Sequence, residues 1–376
     1  MIDSGTLGLL MQGLSHVTVQ SVVMIGVSFV LLYLGIVRQY EPLLLVPIAA
    51  GCLLANLPLS PLIAEDGMLR LLYDMGIVNE LFPLLIFIGI GALTDFGPLL
   101  ENPRLVLLGA AGQFGIFLTL LAALMFGFTR PEAASIGIIG AVDGPTSIYV
   151  SGLLAPHLLG PITVAAYSYM ALVPIILPPI MRLLTTKKER LIRMPYSQRV
   201  ISRRTRVLFP IVVTVLVGTL VPFATPLIGM LMLGNLMKES GVVERLTKAS
   251  SNEIANAVTL FLGLAIGSTM LGTEFLKPST LAILLLGIVA FAVDGVAGVL
   301  FAKLLNVISG GKVNPLVGAA GISAFPMAAR VVQRVAQEED FENFLLMHAM
   351  GANAAGQGAS VVAGGVLLAL MGAGGP

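Results

Sequence analysis

Charged side chains are scarce in this sequence. Asp, Glu, Lys and Arg make up only 11% of its 376 residues, while 57% of the residues are hydrophobic. A soluble domain usually has about a quarter of its residues charged. So few charges cannot cover the water-exposed surface of a chain of this length, and we therefore predict that lipid is the solvent for much of it. The formal net charge of +1 indicates neither nucleic acid nor an acidic partner.

Cysteine and tryptophan are almost or wholly absent. Cys52 is the single cysteine, which excludes an intrachain disulfide and a cysteine-based metal cluster. Because there is no tryptophan, the aromatic residues of a membrane interface would have to be Tyr or Phe. The sequence also lacks a phosphate-binding loop, a GxSxG motif and a GxGxxG motif after a strand, so ATP-driven pumping within this chain is not supported.

Long apolar runs dominate the sequence instead. Several are near the roughly 20 residues that a helix needs to cross hydrocarbon: 19–37, 105–127, 162–184, 207–222, 279–303 and 344–370. Shorter runs are cut by Pro, Gly or charge: 43–57, 81–93, 133–142, 226–237 and 254–271. Short runs beside a break are typical of discontinuous helices and re-entrant hairpins. We predict an all-α polytopic membrane protein with about 10–11 membrane segments.

Residues 182–206 form the one long basic stretch, with nine of the 21 Lys and Arg residues and a single acid, Glu189. By the positive-inside rule this segment is cytoplasmic. An ordinary topology-setting loop is the simplest interpretation, and a lipid-headgroup or partner-docking site remains open. The segment divides the chain into an N-terminal segment with a first membrane repeat (1–184), a basic linker (185–206) and a second membrane repeat (207–376).

The two halves share an internal repeat. Thr94-Asp95-Phe96 is followed, 48 residues after its acid, by Asp143; Thr273-Glu274-Phe275 is followed, 49 residues after its acid, by Ser323. Between these points each half has a long apolar helix and then a Gly-rich half-helix, which is broken near a polar residue and a proline. Paired interruptions at corresponding positions indicate a midplane binding site in transporter folds.

Each break is expected to join the end of one half-helix to the start of another. Pro145 and Pro326 suit the first turn of a helix, where the missing N–H costs nothing. We predict that half-helices 133–142 and 313–322 end at the breaks and that 145–155 and 326–337 begin there. Carbonyls and side-chain oxygens would then surround a small cation such as Na⁺, while the helix N-termini would suit a carboxylate.

Several polar residues near the breaks are candidates for function. Asp143 is either a cation ligand or proton carrier, which its membrane position favours, or a simple helix cap. Ser323 is a second ligand or bonds a backbone carbonyl. Arg330, seven residues later, is expected on the same helical face, where it either snorkels to the interface or grips a carboxylate. Asn314 and Asn353 are interhelical hydrogen bonders or oxygen ligands.

Three further polar residues lie inside apolar runs. Tyr167 and Tyr169 are either interfacial aromatic residues or, beside an acid, proton donors. Asp294 lies in the middle of the 279–303 run, so it must find a partner or be protonated. The histidines show no metal-ligand spacing.

The segments GALTDFGPLL, DGPTSIYVSGLLAPHLLGPITVAAYSYMALVPIILPPIMRLLTTKKER, NPLVGAAGISAFPMAARV and NFLLMHAMGANAAG are long and distinctive. From about residue 20 onward the chain resembles the beta subunits of the sodium-pumping, biotin-dependent decarboxylases, which act on oxaloacetate, methylmalonyl-CoA, glutaconyl-CoA or malonate. The resemblance implies decarboxylation of carboxybiotin, outward Na⁺ transport and uptake of a proton. It also implies two inverted-topology repeats, with a scaffold and an elevator-like moving core.

The resemblance further implies partners and a location. These are a biotin-carrier subunit, a carboxyltransferase subunit, a small membrane-anchor subunit, membrane lipid, two more copies in a homotrimer, and the cytoplasmic (inner) membrane. A Na⁺-coupled secondary carboxylate transporter is the alternative function, because its repeats and broken helices would look much the same. A structural membrane anchor is a third possibility, in which Asp143 and Ser323 would be replaceable.

By motif, the resemblance assigns roles to individual residues. Na⁺ coordination is implied for Asp143, Asn314, Gly318, Ser323 and Asn353. Catalytic, substrate- or proton-handling roles are implied for Tyr169, Arg330 and Asp143, and carboxybiotin contacts for Arg330 and Ser323.

Two positions depart from the family pattern. The family usually has Gly-Pro-Asn where this chain has Gly351-Ala352-Asn353, and an acid at Asp294 is not part of the pattern. We hypothesise that Asp294 is an accessory proton or ion site, or that it contacts the first-repeat helix near Gln113.

Overall fold

The computed structural model of the chain describes residues 12–39, 42–195 and 200–372, and its regular elements there are helical, as predicted. The α-helices are α1 Val19–Ile36, α2 Pro42–Ala55, α3 Met68–Tyr73, α4 Leu81–Leu93, α5 Gly97–Glu101, α6 Leu105–Ala111, α7 Phe114–Met125, α8 Arg130–Gly137, α9 Gly144–Leu154, α10 Leu159–Leu184, α11 Lys187–Arg190, α12 Arg203–Leu220, α13 Thr225–Ser240, α14 Glu244–Ala249, α15 Ala255–Ser268, α16 Gly272–Phe275, α17 Pro278–Ile308, α18 Met327–Glu339 and α19 Leu346–Leu370.

Four of the described helical segments are long and apolar enough to cross a membrane: Val19–Ile36, Leu105–Met125, Pro278–Ile308 and Leu346–Leu370. The number rises to six if two bent pairs, Pro61–Val78 with Leu81–Leu93 and Pro156–Met170 with Leu172–Leu184, each count as one span. The chain is therefore a multi-pass membrane protein. The larger number of 10–11 segments stays a prediction.

The first of two compact units comprises Met1–Phe82 and Asn256–Ile283. In its described part α1 packs along α2. Asn56 ties the end of α2 to the loop before α16, since its Nδ2 donates to Met270 O at 2.8 Å and its Oδ1 accepts from Gly272 N at 3.1 Å. A buried amide with both ends satisfied fixes this junction.

The second unit comprises Pro83–Ala255 and Leu284–Pro376. Its central element is α19, which packs against α5, α6, α9, α13 and α18. Most of the α19 residues are buried, and many of them are Gly or Ala. Small residues allow helix backbones to approach closely in a membrane protein, so α19 can contact several elements at once.

The same order of elements recurs in the two halves of the sequence. A π-helical turn (Asp74–Val78 or Ser250–Ile254) precedes an apolar helix, and a 3₁₀-helix (Ile138–Ala141 or Pro315–Gly321) precedes a polar break. The order agrees with the repeat found in the sequence. The opposite orientation of the halves stays a prediction.

The two breaks differ in detail from each other. The first follows the prediction: α8 continues as a 3₁₀-helix to Ala141, and Asp143 caps α9 with Pro145 in the first turn. At the second break α18 begins only at Met327, after a cis Phe325–Pro326 bond. The prediction that Ser323 and Arg330 share one helical face is therefore wrong. A proline disfavours α conformation in the residue before it, which keeps the stretch before Pro326 out of the helix.

The basic segment folds against the acidic end of α18. Arg190 pairs with Glu339 at 2.7 Å, and Arg193 Nε pairs with Asp340 Oδ2 at 2.7 Å. The Arg193 guanidinium holds the pKa of the partly exposed Asp340 carboxyl below its usual value, so this pair stays charged at neutral pH. Residues 196–199 of the predicted basic stretch lie outside the described residues.

Candidate functional site

Asp143 is buried, with 3% of its surface exposed, at the N-cap of α9. Its Oδ1 accepts a long hydrogen bond of 3.4 Å from Thr146 N. Its Oδ2 accepts three side-chain hydrogen bonds: from Thr146 Oγ1 at 2.7 Å, Gln357 Nε2 at 2.9 Å and Ser360 Oγ at 2.7 Å. The cap contact is therefore the weakest one, and the carboxylate is held mainly by side chains that come from two helices.

Gln357 and Ser360 are site residues that the sequence analysis missed. Together with Asn353 they lie at positions i, i+4 and i+7 of α19, which places their side chains on one face of the helix. A search for polar residues at helical spacing within the Gly/Ala-rich segment would have found them.

The two breaks meet in space. Ser323 N donates a hydrogen bond to Ala141 O at 3.1 Å, although 182 residues separate them in sequence. The Ser323 hydroxyl donates to Gly356 O on α19 at 2.9 Å. The 3₁₀-helix ends of both halves and the polar face of α19 thus converge on one buried region.

Val142, between the contact to Ser323 and Asp143, has left-handed backbone geometry with φ +53° and ψ +44°. This conformation costs an L-residue roughly 1–2 kcal/mol and is unusual for a β-branched side chain. Such strain persists where the surroundings over-determine it, often at functional sites. Here it turns the chain sharply, so that Asp143 faces α19.

Two amide oxygens beside the second break are buried with no donor among the described residues: Gln113 Oε1 and Asn353 Oδ1. Their amide nitrogens are engaged, Gln113 Nε2 with Gly321 O at 3.2 Å and Asn353 Nδ2 with Ile322 O at 2.7 Å. Unpaired carbonyl oxygens are hard ligands that suit a small cation. In the described ranges no three His, Cys, Asp or Glu side chains come together to hold a metal ion, so neutral oxygens would have to complete a cation site.

Tyr167, rather than Tyr169, lies beside Asp143. The Tyr167 ring packs on Gly144, where an added Cβ would overlap it, and its buried hydroxyl has no partner in the described part of the chain. The Tyr169 hydroxyl instead donates to the carbonyl of Leu284. The structure therefore does not bring Tyr169 into the Asp143 network.

Residues 20–371 match the family model described as Na⁺-transporting oxaloacetate decarboxylase beta subunit. The chain is 54% identical over 354 residues to the methylmalonyl-CoA decarboxylase subunit beta of Veillonella parvula, covering 94% of each chain. It is 53% identical over 350 residues to the glutaconyl-CoA decarboxylase subunit beta of Acidaminococcus fermentans, covering 93% of each. It is 49% identical over 417 residues to the oxaloacetate decarboxylase beta chain of Klebsiella pneumoniae, covering 95% of this chain and 96% of that one. The chain belongs to this family of Na⁺-transporting decarboxylase beta subunits.

In this beta subunit, three of the motif residues lie apart from the Asp143 network. The Asn314 amide donates to Arg190 O at 3.0 Å and to Ile192 O at 2.8 Å, while its oxygen accepts from Leu316 N. Gly318 packs directly against the backbone of Gly298, where a Cβ would overlap the helix. Arg330 is exposed on α18. The roles implied for these residues stay predictions.

Replacing Asn314 by Ala is expected to expose the basic segment of this beta subunit to trypsin. Its amide shares the carbonyls of Arg190 and Ile192 with Asn343. Without these hydrogen bonds the attached conformation of the basic segment loses about 1 kcal/mol of stability. The detached, cleavable form should then be roughly five times more populated, and trypsin should cleave after Arg190 roughly fivefold faster. Asn252→Ala, at an exposed asparagine, is the matched control. Equal cleavage rates in the two variants would contradict this anchoring role.

Proposed function

We propose that this beta subunit decarboxylates carboxybiotin delivered by a biotin-carrier subunit, and couples the reaction to outward Na⁺ transport with proton uptake. The observation that carries the proposal is the meeting of the two breaks beside Asp143. A buried carboxylate, hydroxyls and unpaired amide oxygens lie together there, next to helix ends. This is an environment in which a small cation and an organic carboxylate can bind within a few ångströms of each other.

Asp143, Ser360 and Thr146 each contribute an oxygen that can turn towards Na⁺, and Ser323 and Asn353 supply further oxygens beside the second break. Na⁺ is here the transported substrate. Since Asp143 can balance either Na⁺ or a proton, one residue can exchange the two ions in turn. That exchange is the coupling step of the proposal.

The reaction itself needs a proton. The bond between the carboxyl carbon and the ureido nitrogen breaks, the electron pair stays on nitrogen, CO₂ leaves, and the nitrogen takes up a proton. A nearby cation stabilises the negative charge that develops on the ureido group, and a positioned acid supplies the proton. Tyr169 and Arg330 remain the residues implied for handling the substrate, with Arg330 and Ser323 as carboxybiotin contacts. Tyr167 joins them as the tyrosine that lies beside Asp143.

The finer architecture belongs to the same proposal. We infer two inverted-topology repeats with a scaffold and an elevator-like core. The first repeat lies within 1–184, which also holds an N-terminal segment; the linker 185–206 joins it to the second repeat, 207–376. The assembly would be a homotrimer in the cytoplasmic membrane with segment 182–206 on the cytoplasmic side. It would bind carboxyltransferase, biotin-carrier and membrane-anchor subunits. The repeated order of elements supports the repeats, and the basic composition of the segment supports its orientation.

The test is a decarboxylation assay with the purified subunit, its biotin-carrier partner loaded as carboxybiotin, and varied Na⁺. We expect free biotin and CO₂ to form at a rate that saturates with Na⁺ and falls to the background rate when K⁺ replaces Na⁺. Reconstitution into vesicles should show Na⁺ movement only while carboxybiotin is consumed. Na⁺-driven uptake of a free carboxylate without decarboxylation would instead identify the secondary transporter.

A further inference from the structure

Asp294 is fully buried in the middle of α17, far from either end of the helix. Its Oδ1 accepts a hydrogen bond from Gly115 N, in the first turn of α7. The predicted contact with the first-half helix near Gln113 is therefore confirmed. The second oxygen, Oδ2, is buried and has no partner among the described residues.

Two glycines create the space for this carboxyl group. A Cβ at Gly115 would lie 2.7 Å from Asp294 Oδ1, and a Cβ at Gly140 would lie 2.9 Å from Oδ2. Any other residue at either position would collide with the carboxyl group. Gly140 belongs to the 3₁₀-helix that ends at Ala141, so Oδ2 lies directly against the first break, three residues before Asp143.

The position also has a counterpart in the repeat. Gly115 and Asp294 are 179 residues apart, the same separation as between the acids of the two Thr-acid-Phe tripeptides. Equivalent points of the two long helices therefore touch each other here. Gln113, two residues before Gly115, reaches the end of the other 3₁₀-helix at Gly321. Each long helix thus carries a polar side chain that contacts the break of the opposite half.

Among the described residues no ion pair involves Asp294, so no charge there compensates its ionised form. Gly115 N is its one hydrogen-bond partner there, and the residues nearest to the Cβ positions of the adjoining Gly115, Gly140 and Gly295 are neither charged nor titratable apart from Asp294 itself: Ile116, Leu177, Ile180 and Ala290. The nearest titratable residue in sequence to the contacting Gly140 is Asp143, three residues later. One backbone donor and the positive end of α7 cannot offset the burial of a full charge, which costs several kcal/mol.

This carboxyl group is poorly placed to bind a metal cation. Na⁺ and similar hard cations require about six oxygens, whereas Oδ2 has no polar partner among the described residues and lies, like the Ala290 methyl group, close to where a Cβ at Gly140 would be. A proton needs only the carboxylate oxygen itself. Its uptake converts the buried carboxylate into a neutral acid without any further ligand.

We propose that Asp294 is a proton-binding site whose occupancy is coupled to the position of the first break. In the protonated form the neutral acid fits between Gly115 and Gly140. Loss of the proton leaves a negative oxygen against the 3₁₀-helix with no donor, which favours separation of the break from α17. The link to Na⁺ binding at Asp143 rests on the proposed function, whereas the protonation itself does not.

The first test is infrared spectroscopy of the purified complex, which detects the carbonyl stretch of a protonated carboxylic acid. We expect Asp294→Asn to remove one such band at neutral pH, and the exposed control Asp66→Asn to remove none. Because Asn mimics the protonated form, the variant should fold and assemble, and Asp294→Ser provides a second neutral variant. Unchanged spectra in Asp294→Asn would overturn the inference, as would failure of both neutral variants to assemble.

The second test measures the Na⁺ concentration for half-maximal decarboxylation against pH. In the wild type this Na⁺ concentration should rise towards alkaline pH, where Asp294 loses its proton. The rise should be roughly tenfold for each 1.4 kcal/mol of coupling. In Asp294→Asn this alkaline rise should be absent. A variant with the wild-type pH profile would overturn the coupling. Absence of any Na⁺ activation in the wild type would instead refute the proposed function, leaving the infrared result to stand by itself.

Discussion

Replacing Asp143 by Asn is expected to abolish Na⁺-dependent decarboxylation. Two unit charges about 4 Å apart attract each other by about 4 kcal/mol at an effective dielectric constant of about 20. Loss of this attraction corresponds to a decrease of roughly a hundredfold or more in Na⁺ affinity. The Asn oxygen can still accept from Gln357 and Ser360, which donate to Oδ2 of the native residue, so the fold should persist. The measurement is the decarboxylation rate of the purified complex over a wide range of Na⁺.

This substitution separates the two interpretations of Asp143. Asn is as good an N-cap as Asp, so a residue that only caps α9 would tolerate the change. The conservative Asp66→Asn variant, at an exposed position, controls for the loss of one acid. Near-wild-type Na⁺ activation in Asp143→Asn would show that the residue is a cap and would remove the main support for the proposed ion site.

The breaks could be predicted from sequence because local chemistry determines them. Asp143-Gly144-Pro145 combines a capping side chain with a residue that starts helices, and the structure places each in that role. The repeated Thr-acid-Phe tripeptides then indicated a second break near Ser323, and the backbone contact between Ser323 and Ala141 joins the two. Signals of this kind depend on a few neighbouring residues, so they can be read without knowledge of the tertiary contacts.

The partners of the site residues depend on contacts that no local pattern contains. Gln357 reaches Asp143 across 214 residues of sequence, and its spacing on α19 is visible only once the Gly/Ala-rich segment is treated as one buried helix. Arg330 illustrates the opposite error. A spacing of seven residues from Ser323 predicts one shared helical face, but the irregular, non-helical stretch before Met327 separates Ser323 from α18, and Arg330 is exposed.

Asn314 shows why a motif does not by itself give a location. Its sequence neighbours place it at the start of the second 3₁₀-helix, as expected for a residue beside the break. Its amide nevertheless binds the basic segment, whose course depends on ion pairs with the end of α18. Those contacts join parts of the chain that are more than a hundred residues apart, and local sequence does not encode them.

Replacing Gly356 by Ala is expected to disable the site by displacing the second break. An added Cβ would lie 2.8 Å from Gly321 C and 2.9 Å from Ile322 O, closer than real side chains come. Ala is the better helix former by about 1 kcal/mol, so any loss must come from this collision. Overpacking of this kind costs about 1–3 kcal/mol, and it falls where Ser323 binds Gly356 O. We expect a lower melting temperature and a Na⁺ activation weakened roughly tenfold or more.

Gly358→Ala is the matched control for this experiment, because an added Cβ there meets nothing within 4 Å. It lies two residues away on the same helix, so it changes helix propensity equally and leaves the break untouched. Its Na⁺ activation should match the wild type, and its melting temperature should be equal or slightly higher. If the two Ala variants behave alike in both measurements, the close contact between α19 and the second break does not determine Na⁺ binding, and the ion site must be sought nearer to α9.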